Sequence, residues 1–295
     1  MEFRPLTLDA VNEVRPFFRF APWRINDYTV GGLFLWRDYY RIEYCIADGA
    51  LFVRQHFGAS GRACYNLPLA EDTDAAIDRL IREHTEEDGR IRFCVVPGPL
   101  VDTVLKHGEK IRVTGERDLF DYLYTAESMK TFAGRHLSGH RNHMKHFARD
   151  HGDVRLEDLT AENREDAERF FTEVYLAQDA GRGFEVEENR VTLEVLDNYE
   201  TYGFQGGILY ADGDVAGFSF GETVNDTLYV HIEKSRRHCD GCYQTLTNLF
   251  AQRYCTPDTA FVNREEDMGD PGLRYAKTAY HPVELVEKYT VEIAV

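Results

Sequence analysis

Hydrophobic positions along this chain follow a period of two over short stretches and a period near 3.6 over longer ones, and the alternation between the two occurs twice in one order. In the first half, Arg41 to Ala47 and Ala50 to Arg54 read as strands joined at Asp48-Gly49, a pair that tolerates the left-handed backbone of a tight hairpin. From about Asp72 the spacing of Ile77, Leu80 and Ile81 predicts an amphipathic helix. A strand from Ile91 to Val96, a short helix from Pro99 to His107 and strand material up to Tyr124 follow.

The second half repeats the plan. Gly207 to Ala211 and Val215 to Phe220 flank Asp212-Gly213, and a strand from Thr227 to Glu233 comes next. A helix from Gly241 aligns Tyr243, Leu246, Leu249 and Phe250. After it come a strand at Phe261, a helix from Gly272 and a final strand from Val283 to Ile293. Two helices precede this hairpin: Ala161 to Gln178, with Phe170, Phe171 and Val174 inward, and Glu187 to Tyr199, with Val191, Val195 and Leu196 inward. The order predicts a mixed α/β fold in two halves, residues 1–128 and 129–295.

Composition narrows the class. A chain of 295 residues with 43% hydrophobic residues, 19 Phe and 17 Tyr can build two ordinary cores. Six scattered cysteines read as free thiols of a reducing compartment, and the start at Met1-Glu2-Phe3-Arg4 lacks the pattern of a secretion signal, so a cytoplasmic protein is expected. A net charge of -17 argues against polyanion binding over the whole surface. The segment Arg135 to Arg149, which contains no acid, is the local exception. If helical from Gly139, it carries Arg141, Lys145 and Arg149 on one stripe, with Met144, Phe147 and Ala148 facing inward. That stripe suits RNA or lipid phosphates, and packing against acidic neighbours suits it equally.

The densest chemistry lies between Asn263 and Pro282. Ala260 to Val262 ends a buried strand, Glu265 and Asp267 leave it on a loop, and Gly272 to Tyr280 carries Leu273, Ala276 and Tyr280 at helical spacing while presenting Arg274 and Lys277. A carboxylate pair and two cations are therefore expected to converge, although a salt-bridged loop capping the helix uses the same residues. No metal is expected. The histidines at 136, 140, 143, 146 and 151 lack companion ligands at firm spacing, and Cys239-Asp240-Gly241-Cys242 lacks a second pair. Gly217-Phe218-Ser219-Phe220-Gly221 lies within a predicted strand, where a nucleophile elbow does not fit.

This order of elements resembles the acyl-CoA N-acyltransferase (GNAT) fold, and its doubling resembles the tandem Fem-type peptidyltransferases. The string Asn263-x-Glu265-x-Asp267-x-Gly269-x-x-Gly272-Leu273-Arg274-x-x-Lys277-x-x-Tyr280-x-Pro282 is similar to the C-terminal domain of phosphatidylglycerol lysyltransferases and related DUF2156 proteins. So are His140-Arg141-Asn142-His143, and Asp27-Tyr28-Thr29 with Leu35-Trp36. The resemblance implies two tandem GNAT-like domains. The second carries the site, and the first is a brace whose own site is degenerate, because Gly58 to Arg62 lies well before its helix.

In GNAT folds the acyl group lies where the third strand of the hairpin sheet parts from its neighbour, beside a helix N-terminus that favours anions. Here that loop runs from Glu233 to Tyr243, and Glu233-Lys234-Ser235-Arg236 keeps the family's Asp-x-x-Arg spacing with Glu for Asp. The implied reaction is aminoacyl transfer from aminoacyl-tRNA, a donor co-substrate rather than a tightly bound cofactor, to a lipid at a membrane surface, a peptide or a small molecule. Catalytic roles fall to Glu233, Arg236, Glu265 and Asp267. Substrate contacts fall to Arg237, Gly241, Tyr243, Asn263, Arg274, Lys277 and Tyr280, and charged tRNA would meet Arg135, Arg141, Asn142, Lys145 and Arg149. Two alternatives stay open. One is an N-acyltransferase using acetyl-CoA or another acyl-CoA, against which Arg237 stands one position too far from Gly241 and Tyr243 replaces a small residue. The other is a catalytically silent protein that binds an aminoacyl or phosphorylated metabolite.

Overall fold

The computed structural model describes residues 1–56, 61–178 and 184–295, so most of the first half's Gly58 to Arg62 loop lies outside the described residues. The chain divides into two compact units. Unit 1 comprises Met1–Asp121, Glu266–Pro271 and Leu285–Val295, and unit 2 comprises Tyr122–Glu265 and Gly272–Glu284.

The first sheet contains β1 (Arg4–Pro5), β2 (Glu43–Ala47), β3 (Ala50–His56), β4 (Ala63–Asn66), β5 (Arg90–Pro97) and β6 (Glu109–Gly115). The second contains β7 (Asp121–Thr125), β8 (Arg155–Asp158), β9 (Gln205–Ala211), β10 (Asp214–Val224), β11 (Thr227–Ser235), β12 (Phe261–Asn263) and β13 (Glu284–Val286). The last strand, β14 (Lys288–Ala294), returns to the first sheet. The strand orders are β1-β2-β3-β4-β5-β14-β6 and β13-β7-β12-β11-β10-β9-β8.

Both units follow the plan read from the sequence. An antiparallel hairpin turns at Asp48-Gly49 (φ 51° and 76°) in unit 1 and at Asp212-Gly213 (φ 56° and 86°) in unit 2, the two left-handed residues that the local chemistry predicts. A third strand then pairs in parallel with a strand reached through a helix: β4 with β5 across Thr73–His84, and β11 with β12 across Cys242–Tyr254. In unit 1, Asp72 caps the crossover helix by accepting from the Ala75 N–H (3.0 Å), and Ile77, Leu80 and Ile81 face inward.

The division differs from a cut between residues 128 and 129. Where β5 needs its next partner the chain supplies β14, whereas β12 receives β7 from the first half. The predicted strand from Val283 to Ile293 is thus two strands in different sheets, broken at Glu287. Period-two patterning marks a strand but carries no information on its partner.

A second difference arises before the unit 2 hairpin. The helix predicted to end at Gln178 widens to i→i+5 bonding over Phe170–Tyr175. The extra residue per turn moves the inward position from Val174, which is half-buried, to Tyr175, which is buried beside Phe171. The next helix, Phe184–Tyr202, buries Val191, Val195 and Leu196 as expected.

Candidate active site

The site in unit 2 is built by two parallel strands that part. β11 runs to Ser235, but β12 accompanies it through three rungs only: Thr227 with Phe261, Leu228 with Val262 and Tyr229 with Asn263. Past the last rung, β11's register against β10 slips, with Ile232 opposite Phe220 and Val230 opposite Gly221, so His231 is the extra residue of a β-bulge. Ion pairs then replace backbone rungs. His231 Nδ1 meets Glu265 Oε1 at 2.9 Å, and Glu233 pairs with the guanidinium of Arg264, the first residue past β12.

Glu233 and Arg264 are both largely enclosed, their side chains retaining 10% and 12% of their exposure. The other Glu233 oxygen accepts from the Thr247 hydroxyl on the Cys242–Tyr254 helix at 2.6 Å. The Arg264 guanidinium lies over the Tyr280 ring, 4.7 Å from its centroid. Burial opposes its charge, yet the Glu233 carboxylate more than offsets this and holds the guanidinium charged more firmly than in water. Arg264 Nη1 is buried with no hydrogen-bond partner. A buried unmade hydrogen bond at a cation is costly, so this donor is poised for an acceptor.

Tyr280 is itself fixed on its other side. His140 stacks on it at 4.1 Å with planes 4° apart and reaches the Ala279 carbonyl through Nε2 at 2.9 Å. Burial raises the titration of Tyr280, which stays a neutral phenol.

Lys234, next along β11, binds Glu188 at 2.8 Å and lies 5.3 Å from the centre of the Tyr175 ring. Arg237 covers the same ring at 5.1 Å. Tyr243 is half-buried in the first turn of its helix. Burial raises its hydroxyl's titration, with Tyr175 and Glu233 adding to the effect. Lys234, Tyr175, Glu188, Thr247 and Arg264 are absent from the residues singled out in the sequence. Arg264 had a signal, since it stands inside the Asn263 to Pro282 string; Tyr175 had none, because its position depends on the widened helical turn.

The structure sorts the sequence-derived residues. It gathers Glu233, Arg237, Tyr243 and Tyr280 around the parted strands. Glu265 takes the left-handed backbone (φ 58°) and pairs with His231 rather than standing beside Glu233, while the buried Asn263 accepts the Glu265 N–H at 2.6 Å. Arg236 turns to the hairpin edge, donating from Nε to the Val215 carbonyl at 3.0 Å with Asp214 3.7 Å away. Asp267 belongs to unit 1, fully buried against Arg117 at 3.1 Å and accepting the Gly269 N–H at 2.9 Å, which makes it the pivot of a loop. Arg274 and Lys277 lie on the Pro271–Ala279 helix, whose Leu273 is exposed rather than inward; Lys277 Nζ is 5.9 Å from the Tyr122 ring centre.

Gly241 is required twice over. Its φ is 77°, and a Cβ there would lie 2.1 Å from the His143 carbonyl oxygen of the Ser138–Asp150 helix. The basic segment is that helix. Phe147 is its buried residue, in one apolar cluster with Leu209, Cys242 and Leu246, while Met144 is half-buried and Ala148, expected inward, is exposed. Arg141 donates to the carbonyls of Phe132 and Gly134, Arg149 bonds Asp150 at 2.7 Å, and Arg135, Asn142 and Lys145 are exposed. His143 and Asp240 join at 2.5 Å, fastening the helix to the turn before Gly241.

Among the described residues no helix is long and apolar enough to cross a membrane. The fold is similar to those of several solved structures. A conserved protein of unknown function from Bacteroides thetaiotaomicron VPI-5482 is 27% identical with a TM-score of 0.88, covering 99% of each chain. L-PGS from Bacillus licheniformis is 13% identical with a TM-score of 0.62, covering 85% of this chain and 83% of that one. FemX is 9% identical with a TM-score of 0.53, covering 100% and 98%. The last two likenesses speak to fold alone: two units, each built on a mixed sheet, as in the Fem-type fold of FemX. An uncharacterized protein of Mycoplasmoides gallisepticum, MYCGA3080, is 22% identical over 178 residues, 59% of this chain and 56% of that protein, so the match spans little more than half the length of this curated relative. The sequence profile described as phosphatidylglycerol lysyltransferase, C-terminal, matches residues 18–292, nearly the whole of both units, and the chain belongs to that family.

Proposed function

We propose that unit 2 transfers an aminoacyl group from aminoacyl-tRNA to a hydroxyl or amine acceptor, with a lipid hydroxyl the first to test. The carrying observation is the buried, unpartnered Nη1 of Arg264 at the place where β11 and β12 part. An ester carbonyl in that gap would supply the missing acceptor, and the bond would strengthen as the oxygen gains negative charge.

The step balances. The acceptor oxygen or nitrogen bonds to the ester carbon and gives its proton to Glu233, whose oxygens keep acceptor capacity beyond their bonds to Thr247 and Arg264. The carbonyl oxygen takes the electron pair and is held by Arg264. When that pair returns, the bond to the ribose oxygen of the tRNA breaks, and this oxygen receives the proton from Glu233. In this reading the oxyanion is met by Arg264 rather than by Arg236, which bonds the Val215 carbonyl at the hairpin edge. A terminal phosphate of the donor is assigned to Arg237, whose guanidinium lies over Tyr175. The Ser138–Asp150 helix, fastened to the neighbouring turn with Arg135 and Lys145 exposed, supports a path for the tRNA backbone. The CoA alternative has less support, because Gly241 is packed against His143 where a pyrophosphate would need the glycine turn.

The test is transfer of radiolabelled lysine from charged tRNA to phosphatidylglycerol vesicles by the purified chain. Glu233→Gln should lower the rate on the order of 100-fold or more. Absence of transfer with any charged tRNA, together with a thermal shift from acetyl-CoA, would move the reading to the CoA alternative.

A further inference from the structure

The Glu222–His231–Glu265 cluster takes no direct part in the transfer step, and its placement asks for an explanation. His231 occupies the bulge of β11, its side chain fully buried, with Nδ1 2.9 Å from Glu265 Oε1 and Nε2 3.0 Å from Glu222 Oε1. Carboxylates only accept hydrogen bonds, so a ring bonded to both through both nitrogens carries two protons and a positive charge. Phe204 (5.1 Å) and Tyr229 (6.4 Å, planes 12° apart) flank the ring. Glu222 on β10 and Glu265 after β12 are the charged groups bonded to it, and Tyr229 on its own strand is the titratable neighbour.

Glu265 is the residue after Arg264, and three backbone bonds, besides the imidazole on the Glu265 side chain, hold the Arg264–Glu265 turn. Its N–H donates to Asn263 Oδ1 at 2.6 Å, its carbonyl accepts from the Tyr122 N–H at 3.1 Å, and the Arg264 N–H donates to the Tyr122 carbonyl at 3.0 Å. Its left-handed φ of 58° is a conformation a glutamate does not choose unaided. The imidazole is the bonded partner of the Glu265 side chain, so without it the left-handed turn that carries Arg264 rests on its backbone bonds alone.

We propose that His231 is a positioning residue of the transfer site: a charged tie across the parted strands that holds the Arg264–Glu265 turn, so that Arg264 keeps one guanidinium nitrogen on Glu233 and presents the other to the substrate. The inference rests on the transfer reading above for its consequence in catalysis, and on geometry alone for the positioning.

Two readouts separate these. The Arg264 guanidinium, recorded as slowly exchanging side-chain resonances in 1H–15N spectra and assigned by their loss in Arg264→Lys, reports the position without any substrate. In His231→Phe these resonances should be lost, and in His231→Gln, which can still donate one bond, they should be partly retained. In Glu222→Gln, which leaves Glu265 untouched, they should weaken, because the imidazole loses one of the two carboxylates that keep it charged. The second readout is lysine transfer from charged tRNA to phosphatidylglycerol vesicles. His231→Phe should lower kcat on the order of 100-fold with KM little changed, the scale of a misplaced reacting group. The wild-type rate should fall at alkaline pH, and the Gln variant should lack that limb. Unchanged Arg264 resonances in folded His231→Phe or His231→Gln protein would overturn the proposal. If the resonances respond but wild type shows no transfer, the positioning stands and the transfer reading fails.

Discussion

Replacing Arg264 by Met tests whether the parted strands are held by a charge pair. The substitution keeps a long, flexible side chain over Tyr280 but removes the guanidinium, leaving Glu233 with Thr247 as its remaining recorded partner. With Glu233 at 10% side-chain exposure, the carboxylate would be buried without a cation. Breaking such a pair from one side costs about 3–5 kcal/mol, whereas replacing both members by apolar residues of similar volume is often neutral or stabilising. Arg264→Met alone should therefore lose about 3–5 kcal/mol, and Glu233→Met/Arg264→Met should recover at least ~1 kcal/mol of it. At roughly 2–4 °C per kcal/mol for a domain of 150–250 residues, the single variant should melt roughly 6 to 20 °C lower.

The assay must look at the correct unit. Both tryptophans of the chain, Trp23 and Trp36, lie in unit 1, so tryptophan fluorescence does not report on unit 2 directly. Hydrogen exchange of β11 amides in urea follows unit 2 directly. A loss below about 1 kcal/mol in the single variant, or a double variant whose cost equals the sum of the two singles, would refute the reasoning. The first result would mean that water or a rearranged partner already satisfies Glu233, and the second that the two side chains act independently.

Four further outcomes follow from the same geometry. Burial alone would lower the titration of His231, but Glu222 and Glu265 outweigh it and raise it to about 9 from 6.5, so its contribution to stability is whole below pH 6.5 and drains away as pH climbs through 9. Urea midpoints of wild type and His231→Gln should converge between pH 6 and 10, and a constant gap would contradict this. Gly241→Ala places a Cβ 2.1 Å from the His143 carbonyl at φ 77° and should cost at least about 2 kcal/mol, read from exchange of the Ser138–Asp150 helix; an unchanged helix would count against the contact. In unit 1, Lys288 is buried among Asp27 (2.6 Å), Asp121 (2.9 Å) and Glu266 (3.3 Å), so Lys288→Met should lose about 3–5 kcal/mol by tryptophan fluorescence, less at low pH where the acids are neutral, and a pH-independent loss would argue against stranded carboxylates. Reversing the exposed charges with Arg135→Glu and Lys145→Glu should weaken tRNA binding and flatten its salt dependence in filter binding, and unchanged affinity would remove this helix from the RNA path.

The parts of this molecule that were legible in its sequence are those set by neighbours along the chain. Asp48-Gly49 and Asp212-Gly213 announce their hairpins because their backbone conformation is a local property, and the apolar spacing of Ile77, Leu80 and Ile81 marks the buried face of one helix without reference to another element. Glu233 was legible for a related reason, since it ends a strand and precedes a basic, glycine-containing loop. What stayed hidden depends on register. The exchange of β7 and β14 between sheets is invisible to a period of two. The widened turn over Phe170–Tyr175 shifts one inward position by a single residue and so exchanges Val174 for Tyr175 beneath Lys234 and Arg237.

The bulge at His231 has the same character and a larger consequence. In an unbroken ladder β11 and β12 would continue as backbone rungs, and a charge pair between them would have no space. Inserting one residue on β11 and ending β12 at Asn263 leaves two lengths of backbone without each other's hydrogen bonds. Packed aromatics would close that gap by filling it, and no ester could then enter. Charged side chains of opposite sign span it differently: each tie fixes the separation of the strands while its polar atoms keep further hydrogen-bonding capacity, as the unpartnered Nη1 of Arg264 does. On the proposed transfer reading, strands that part to admit an ester favour the two ion pairs seen here over a hydrophobic seam, even though the seam would give the more stable protein.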